Sequence, residues 1–361
     1  MTYCHASFYR KPYYICNDCR KEFEENKIDE MNEKAILLHV WLEVFIKTLL
    51  FVRKDNKMKK KLKIGTLFSG IGSPEFALKE LKKDYELVYA CDNDSYAKST
   101  YLLNHKVKYF YYDIKDVVGK KHKINWLIFG FCCQSWSFAG KRKGLKDERG
   151  KLVLTACKIL KEQQPEIFIA ENVAGLVKKK KDFKKLLKEF DKAGYNVKWK
   201  LYNSLNFGVP QNRVRIWFVG IRKDLQKEFI FSEVNKSYIP LKDILNKNVD
   251  IKYYATESFL NKEKVQRKLR NYKKDFISCI THTIARNGSS GEYISYVAAV
   301  YNAIGETRKP TPDESLALFG FPKIFKFPNN TSICKRYTQI GNTMVVPVLK
   351  EIFKEIIKME L

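Results

Sequence analysis

Between Leu62 and Ile221 short apolar runs alternate with amphipathic segments, and this pattern constrains the chain more than any other feature. Leu62–Phe68, Leu87–Cys91, Asn125–Phe129 and Glu166–Ala170 have strand length, and each is followed within two residues by glycine, carboxylate or amide residues. Helical patterns lie between them, beginning with Ser73 to Leu81 after the first run. Strands that alternate with helices point to a parallel, doubly wound α/β sheet, not to a helical bundle or an all-β barrel. At 361 residues the chain is long enough for a sizeable core and a second, smaller domain.

The turns after these strands carry the candidate chemistry. Ser69-Gly70-Ile71-Gly72 is a tight turn after the first strand, where glycine permits positive φ and close backbone approach to a ligand. The second strand ends in Asp92, Asn93 and Asp94, and a carboxylate there commonly holds a ribose in a doubly wound sheet. A Gly-x-Gly by itself is as often only a turn, and an isolated carboxylate is usually solvated. The third strand runs into Gly130-Phe131-Cys132-Cys133-Gln134-Ser135-Trp136-Ser137. A thiol at a strand tip, followed by polar residues, is how a nucleophilic cysteine is presented, although cysteine is also a common small core residue. Glu171-Asn172-Val173 ends the next strand and Gln211-Asn212-Arg213-Val214-Arg215 opens another. A nucleophile, a carboxyl group and a guanidinium are thereby expected at strand ends of one domain.

In order and composition these motifs resemble those of the cytosine-C5 DNA methyltransferase family, over most of the chain from about Lys61 onward. The resemblance implies a methyltransferase-type sheet with a target-recognition domain, and S-adenosylmethionine as cofactor. It assigns Cys133 as nucleophile, Glu171 to the cytosine N3 and amino group, and Arg213 and Arg215 to the catalytic motif, Arg215 holding O2. It assigns Phe68, Gly70, Gly72, Asp92, Asn93, Asp113 and Asn342 to the cofactor, with Gln339-Ile340-Gly341-Asn342 as the last motif. Asp92 stands where the family usually has Glu. Gln134, Ser137 and Arg142, in a basic loop from Ser135 to Gly150, are expected to meet DNA, as is Arg286 in the Thr281–Glu292 segment. Arg286 fits either a guanine edge or a phosphate. Two prolines common in the family are replaced by Cys132 and Ser135, which loosens the loop entrance and leaves Cys132 as the less favoured alternative nucleophile. Arg308, Thr311-Pro312-Asp313-Glu314 and Phe319-Gly320-Phe321-Pro322 resemble the ninth motif, which supports the recognition domain.

The expected organisation is an N-terminal extension of unknown role (1–57), a catalytic domain (58–222), a recognition domain (223–305) and C-terminal motifs (306–361) whose last helix, from Asn342 onward, returns to the catalytic domain. A net charge of +28 favours a polyanionic partner, here double-stranded DNA. Nine cysteines at irregular spacing, with no secretory leader, point to a reducing cytoplasm. The apolar run Ile36 to Val52 is interrupted by His39, Glu43 and Lys47. As a helix it spans about 25 Å, short of a hydrocarbon core of about 30 Å, so no membrane span is expected. Cys16-x-x-Cys19 with Cys4 and His5 invites a zinc site, but adjacent Cys4 and His5 reach one tetrahedral ion poorly, so no metal is expected. The Lys178–Lys181, Lys184, Lys185 and Lys188 cluster reads as the solvated side of a helix and receives no site role.

The activity expected is methylation of cytosine C5 in a short DNA sequence through a flipped-out base and a covalent Cys133–C6 adduct. A monomer in a restriction–modification system, with a cognate endonuclease as functional partner, suits that reading. Two alternatives stand beside it: a transfer-RNA cytosine-C5 methyltransferase, disfavoured by the long recognition interval and the lack of that branch's Cys-Phe-Thr motif, and a DNA-binding protein that keeps the fold without turnover.

Overall fold

The computed structural model describes residues 21, 38–39, 41–47, 61–131, 147–254, 277–280, 300–301 and 307–360. The chain divides into two compact units, Met1–Lys60 and Lys61–Leu361. In the first, residues 41–47 are helical; Trp41 stacks on Phe45 one turn on, with ring centroids 5.4 Å apart. The proposed zinc ligands Cys4, His5, Cys16 and Cys19 lie outside the described residues. Among the described residues no helix is long and apolar enough to cross a membrane.

The second unit is built on a seven-stranded sheet: β1 Leu62–Leu67, β2 Tyr85–Cys91, β3 Tyr109–Tyr111, β4 Trp126–Gly130, β5 Ile167–Val173, β6 Tyr195–Asn203 and, after a two-residue strand β7 (Gln211–Asn212), β8 Val214–Arg222. The order is β3-β2-β1-β4-β5-β8-β6; β1 to β5 run parallel and β8 is antiparallel to both neighbours. Strand order therefore reverses between β1 and β4, and ligands of open α/β sheets bind in the crevice at such a switch point, beyond the C-terminal ends of the strands. Outside the large sheet, β7 pairs in parallel with β9, Ile277–Ser278.

Each buried strand feeds two cores because successive side chains point to opposite faces. In β4, Trp126 and Ile128 enter one core while Leu127 and Phe129 enter the other. The first core is covered by the helices α1 (Ser73–Glu80) and, from the far end of the chain, Val346–Lys358. The second is covered by α3 (Glu148–Gln163) and α4 (Lys180–Lys192), α2 (Ser95–Asn104) lying between β2 and β3 in the chain. In α4, Phe183, Leu186 and Phe190 are buried at i, i+3 and i+7, which turns Lys184, Lys185 and Lys188 to solvent. Two further helices, α5 (Pro312–Ala317) and α6 (Ile333–Gly341), precede the last one, α7 (Val346–Lys358).

Several boundaries differ from the sequence reading. The strand expected to stop at Ala170 continues through Val173, because β8 pairs with it as far as Val173↔Arg215. The last helix starts at Val346 and not at Asn342, which caps α6; Pro347 fits the first turn of α7, where no backbone donor is needed. Much of the interval 223–305, expected as a recognition domain, lies outside the described residues.

Candidate active site

The Phe68–Gly72 turn leaves β1 through three left-handed residues, with φ of 52° at Phe68, 54° at Gly70 and 83° at Gly72. A Cβ on Gly70 would meet nothing within 4 Å, so that face of the turn is open to a ligand. The turn is tied to the end of β2: the Gly70 N–H donates to Asp92 Oδ2 at 2.8 Å, and the Asp94 N–H donates to Asp92 Oδ1 at 2.9 Å. Burial pushes the Asp92 carboxyl up, while these two backbone donors pull it back. Asp94 also caps α2 through the Tyr96 N–H at 2.9 Å. Asn93 is exposed, as is Asp113, which follows β3 and accepts the Lys115 N–H at 2.9 Å. Phe68, Asp92, Asn93 and Asp113 thus follow the C-terminal ends of three adjacent strands, β1, β2 and β3.

The next strand along the same edge is β4. Its last residue, Gly130, stands opposite Glu171 of β5. A Cβ there would lie 3.1 Å from Met344 Cε and 3.6 Å from Glu171 Oε2, so the glycine lets the C-terminal segment close against the strand end. The Asn172 side-chain amide donates to the Phe131 carbonyl at 2.9 Å and thereby fixes where the chain leaves β4. The expected nucleophile Cys133 lies two residues past Phe131, outside the described residues, together with Cys132, Gln134, Ser137 and Arg142; so does Arg286.

Glu171 is buried, and Arg215 Nε lies 3.1 Å from its Oε1 as a close ion pair without good hydrogen-bond alignment. Burial raises the Glu171 carboxyl above its ordinary range, and Arg215 and then Arg213 oppose that rise. Arg213 is itself buried and spread over backbone carbonyls: Nη1 donates to Ile280 at 2.8 Å, and Nη2 to Gly341 at 3.2 Å and Thr343 at 3.1 Å. It also stacks over Phe319, 4.9 Å from the ring centre. Arg213 thus braces the segment around Ile280 and the last motif, on either side of Asn342, against the start of β8. Arg215 alone of the two closes on Glu171.

Residues 62–358 match the family described as C-5 cytosine-specific DNA methylase. The chain belongs to that family. Among its relatives are Type II methyltransferase M.FnuDI of Fusobacterium nucleatum, 32% identical over 329 residues (82% of this chain, 94% of the relative), and Type II methyltransferase M.Bsp6I of Bacillus sp. (strain RFL6), 30% identical over 317 residues (82% and 99%). Two solved structures share the fold. The Entamoeba histolytica methyltransferase EhMeth has a TM-score of 0.66 at 17% identity, covering 84% of this chain and 100% of that one. A mutant of Spodoptera frugiperda DNMT2 has a TM-score of 0.62 at 22% identity, covering 82% and 100%. The methylase is a DNA cytosine-C5 methyltransferase.

Three residues to which the motifs assign no role help to build the methylase's candidate site. Asn172 orients the exit from β4. Gln211 donates to the Leu318 carbonyl at 2.8 Å and accepts the Ile280 N–H at 3.1 Å, which joins three distant segments. The Cys279 sulfur sits 3.3 Å from Arg213 Nη1 and 3.5 Å from Arg215 Nη2. Burial raises that thiol, but the guanidiniums of Arg215 and Arg213 outweigh burial and hold it below its usual range. Asn172 and Gln211 sit inside quoted motifs, yet nothing in the sequence shows which way they point, and Cys279 has no spacing signal at all. Among the described residues no group of three or more His, Cys, Asp or Glu side chains could hold a metal ion.

Proposed function

We propose that this methylase transfers a methyl group from S-adenosylmethionine to C5 of a cytosine flipped out of a short DNA sequence. The observation that carries the reading is the buried Glu171–Arg215 pair beside Gly130, the strand end from which the Cys132-Cys133 segment departs. Cytosine C5 is a poor nucleophile. Addition of the Cys133 thiolate across C6 makes the ring an enamine, whose electron density gathers on C5. Glu171, whose burial favours its protonated form, donates to N3 as negative charge moves there and accepts from the exocyclic amine. Arg215 holds the O2 oxygen and keeps Glu171 oriented. Loss of the C5 proton to a base and elimination of the Cys133 thiolate then restore the ring and the enzyme. C6 is inaccessible to a protein thiol inside the stacked duplex, so the base must leave it, at a cost of about a few kcal/mol offset by backbone and pocket contacts.

The turn fits the cofactor. Gly70 is open where a side chain would stand, and Asp92 lies at the strand end where a ribose is held. Phe68, Gly70, Gly72, Asp92, Asn93 and Asp113 would line one side of it and Asn342 the other. When bound, S-adenosylmethionine supplies the electrophilic methyl group that C5 takes up. Relatives named as Type II methyltransferases support a restriction–modification role with a cognate endonuclease. The test is expression in a methylation-deficient bacterial host, followed by bisulfite sequencing of host DNA beside a Cys133→Ser control. Protected cytosines in one short motif, absent from the control, are the expected result. Soluble, cofactor-binding protein with no protected cytosine would overturn the reading in favour of an RNA substrate or a silent DNA binder.

A further inference from the structure

Beneath the Phe68–Gly72 turn lies a buried polar cluster that the reaction above does not use. Glu75, in the first turn of α1, has no solvent exposure. Its Oε1 accepts the Tyr101 hydroxyl at 2.6 Å and the Thr66 hydroxyl at 3.3 Å. Thr66 Oγ1 lies 2.8 Å from the Ser69 hydroxyl, and Ser69 Oγ accepts the Cys91 N–H at 2.9 Å. A continuous hydrogen-bonded chain therefore runs from α2 through Glu75 and the turn to the end of β2, one residue before Asp92.

The second oxygen, Glu75 Oε2, faces Gly72. A Cβ on that glycine would stand 3.3 Å from Oε2 and 2.3 Å from His105 Nε2. His105 is buried and packs edge-on against Phe76, with ring centroids 4.6 Å apart. Carboxyl and imidazole thus converge on the residue that closes the turn; neither Glu75 Oε2 nor the His105 nitrogens make a hydrogen bond of sound geometry, although the Ile71 backbone carbonyl bears on the imidazole. The other polar groups around Glu75 are already engaged. From β2, the Tyr85 hydroxyl donates to the Glu75 carbonyl at 3.3 Å; Lys79 Nζ, one turn along α1, donates to the Asn104 carbonyl at 2.9 Å. Lys350 of α7 pairs at 2.8 Å with Glu80 at the far end of α1, and Phe321 and Phe325 close the Phe76 side with apolar rings.

We propose that Glu75 is a positioning residue for the cofactor turn: as the neutral acid it clamps the Phe68–Gly72 turn against α2, and loss of its proton loosens the turn and weakens S-adenosylmethionine binding. The proposal rests on the S-adenosylmethionine reading above. A carboxylate at this position must recruit either water or a proton on His105. Water needs room beside Gly72, where even a methyl group would collide, and a proton on His105 would draw imidazole and carboxylate together across that same residue. The parts able to yield are the turn's own left-handed residues, which are the ones the cofactor is to meet. Burial pushes Glu75 up to about 7 against the pull of Tyr101, Thr66 and Lys79, and burial together with Lys79 pushes His105 down to about 3. Below about pH 7 the pair is therefore mostly a neutral acid facing a neutral imidazole, and the acid loses its proton as the pH rises through that value.

The test is calorimetric titration of the full chain with S-adenosylmethionine at a series of pH values, wild type beside Glu75→Gln. The amide keeps an oxygen for Tyr101 and Thr66 but cannot ionise. Wild-type affinity is expected to fall by up to about tenfold between about pH 6 and pH 8. Glu75→Gln should bind like wild type at the lower pH and lose much less. The ligand's own amino group titrates in both proteins, so the difference between the two curves isolates Glu75. Parallel curves, or a wild-type affinity constant across the range, would overturn the inference while leaving cofactor binding intact. No binding by wild type at any pH would overturn the cofactor reading and this inference with it. If the glutamine variant does not fold, the wild-type titration is repeated with 5′-methylthioadenosine, which lacks the titrating amino group: an affinity constant across the range sinks the clamp, and a fall of up to about tenfold supports it.

Discussion

Arg308 and Glu314 bury a bidentate ion pair, at 2.7 and 2.8 Å, with side chains almost wholly removed from solvent. Glu314 also accepts the N–H groups of Asn246 and Thr311, both at 2.7 Å, and its own N–H donates to the Thr311 hydroxyl to complete a capping box on α5. One carboxylate thus fixes a guanidinium, a loop and a helix start. Removing it with Glu314→Ala strands the Arg308 charge in the core, and the expected cost is about 3 to 5 kcal/mol, read as a lower denaturant midpoint. A loss below about 1 kcal/mol, the size of an exposed pair, would show that Arg308 finds another partner. Thr311 to Glu314 are read from the sequence only as part of the ninth motif, although the Thr-x-x-Glu spacing of a capping box is local and stands in the sequence. The six-residue step back to Arg308 has no helical or strand period, so that pairing became visible only with the fold. Glu171 and Arg215 were named from their motifs, whereas their 3.1 Å contact depends on strands β5 and β8 lying side by side.

At the scale of elements, the β1–α1 turn separates two glycines that look alike in the sequence. Gly70 and Gly72 both have positive φ, but a side chain on Gly70 would enter open space while one on Gly72 would strike His105. A non-glycine residue in the left-handed region costs about 1 to 2 kcal/mol. Gly70→Ala is therefore expected to fold with a modest loss of melting temperature and, if the proposed cofactor site is right, to lose cofactor affinity in calorimetry because its methyl group projects into the open space beside the turn. Gly72→Ala should lose considerably more thermal stability, because His105 is wedged between Phe76 and Tyr101 and cannot retreat. Equal melting temperatures for the two variants would refute this assignment. Pattern alone identified the turn and the strand before it. It could not separate a backbone requirement from a packing one, because His105 comes from the end of α2, more than thirty residues along the chain. The same limit explains the β5 boundary: Glu171, Asn172 and Val173 read as a polar stop, yet they stay in the strand because an antiparallel neighbour from a later segment pairs with them.

For the whole molecule the governing quantity is the net charge of +28, and its consequence depends on where the lysines lie. α4 leaves the C-terminal edge of the sheet after β5 and runs back toward the opposite edge, where β6 begins. Lys184, Lys185 and Lys188 are exposed midway along it and beyond, on the layer covering one face of the sheet. They raise the overall charge without lying at the strand ends that carry Glu171, Arg215 and Asp92. If the polyanion is DNA bound across that edge, affinity must fall with salt, at roughly 0.9 in log affinity per log salt for each phosphate neutralised. Six or more contacts would cost on the order of a thousandfold between about 50 and 200 mM salt. Reversing the three α4 charges with Lys184→Glu, Lys185→Glu and Lys188→Glu should weaken binding slightly through the long-range field but leave the slope of log affinity against log salt unchanged. That slope counts phosphates contacted, whereas the field at a distance is screened within about 10 Å at 0.1 M salt. A slope that drops by two or three contacts in the triple variant, measured by fluorescence anisotropy on one duplex, would place α4 in the DNA interface. A wild-type slope near zero would mean that the excess charge does not serve DNA binding at all.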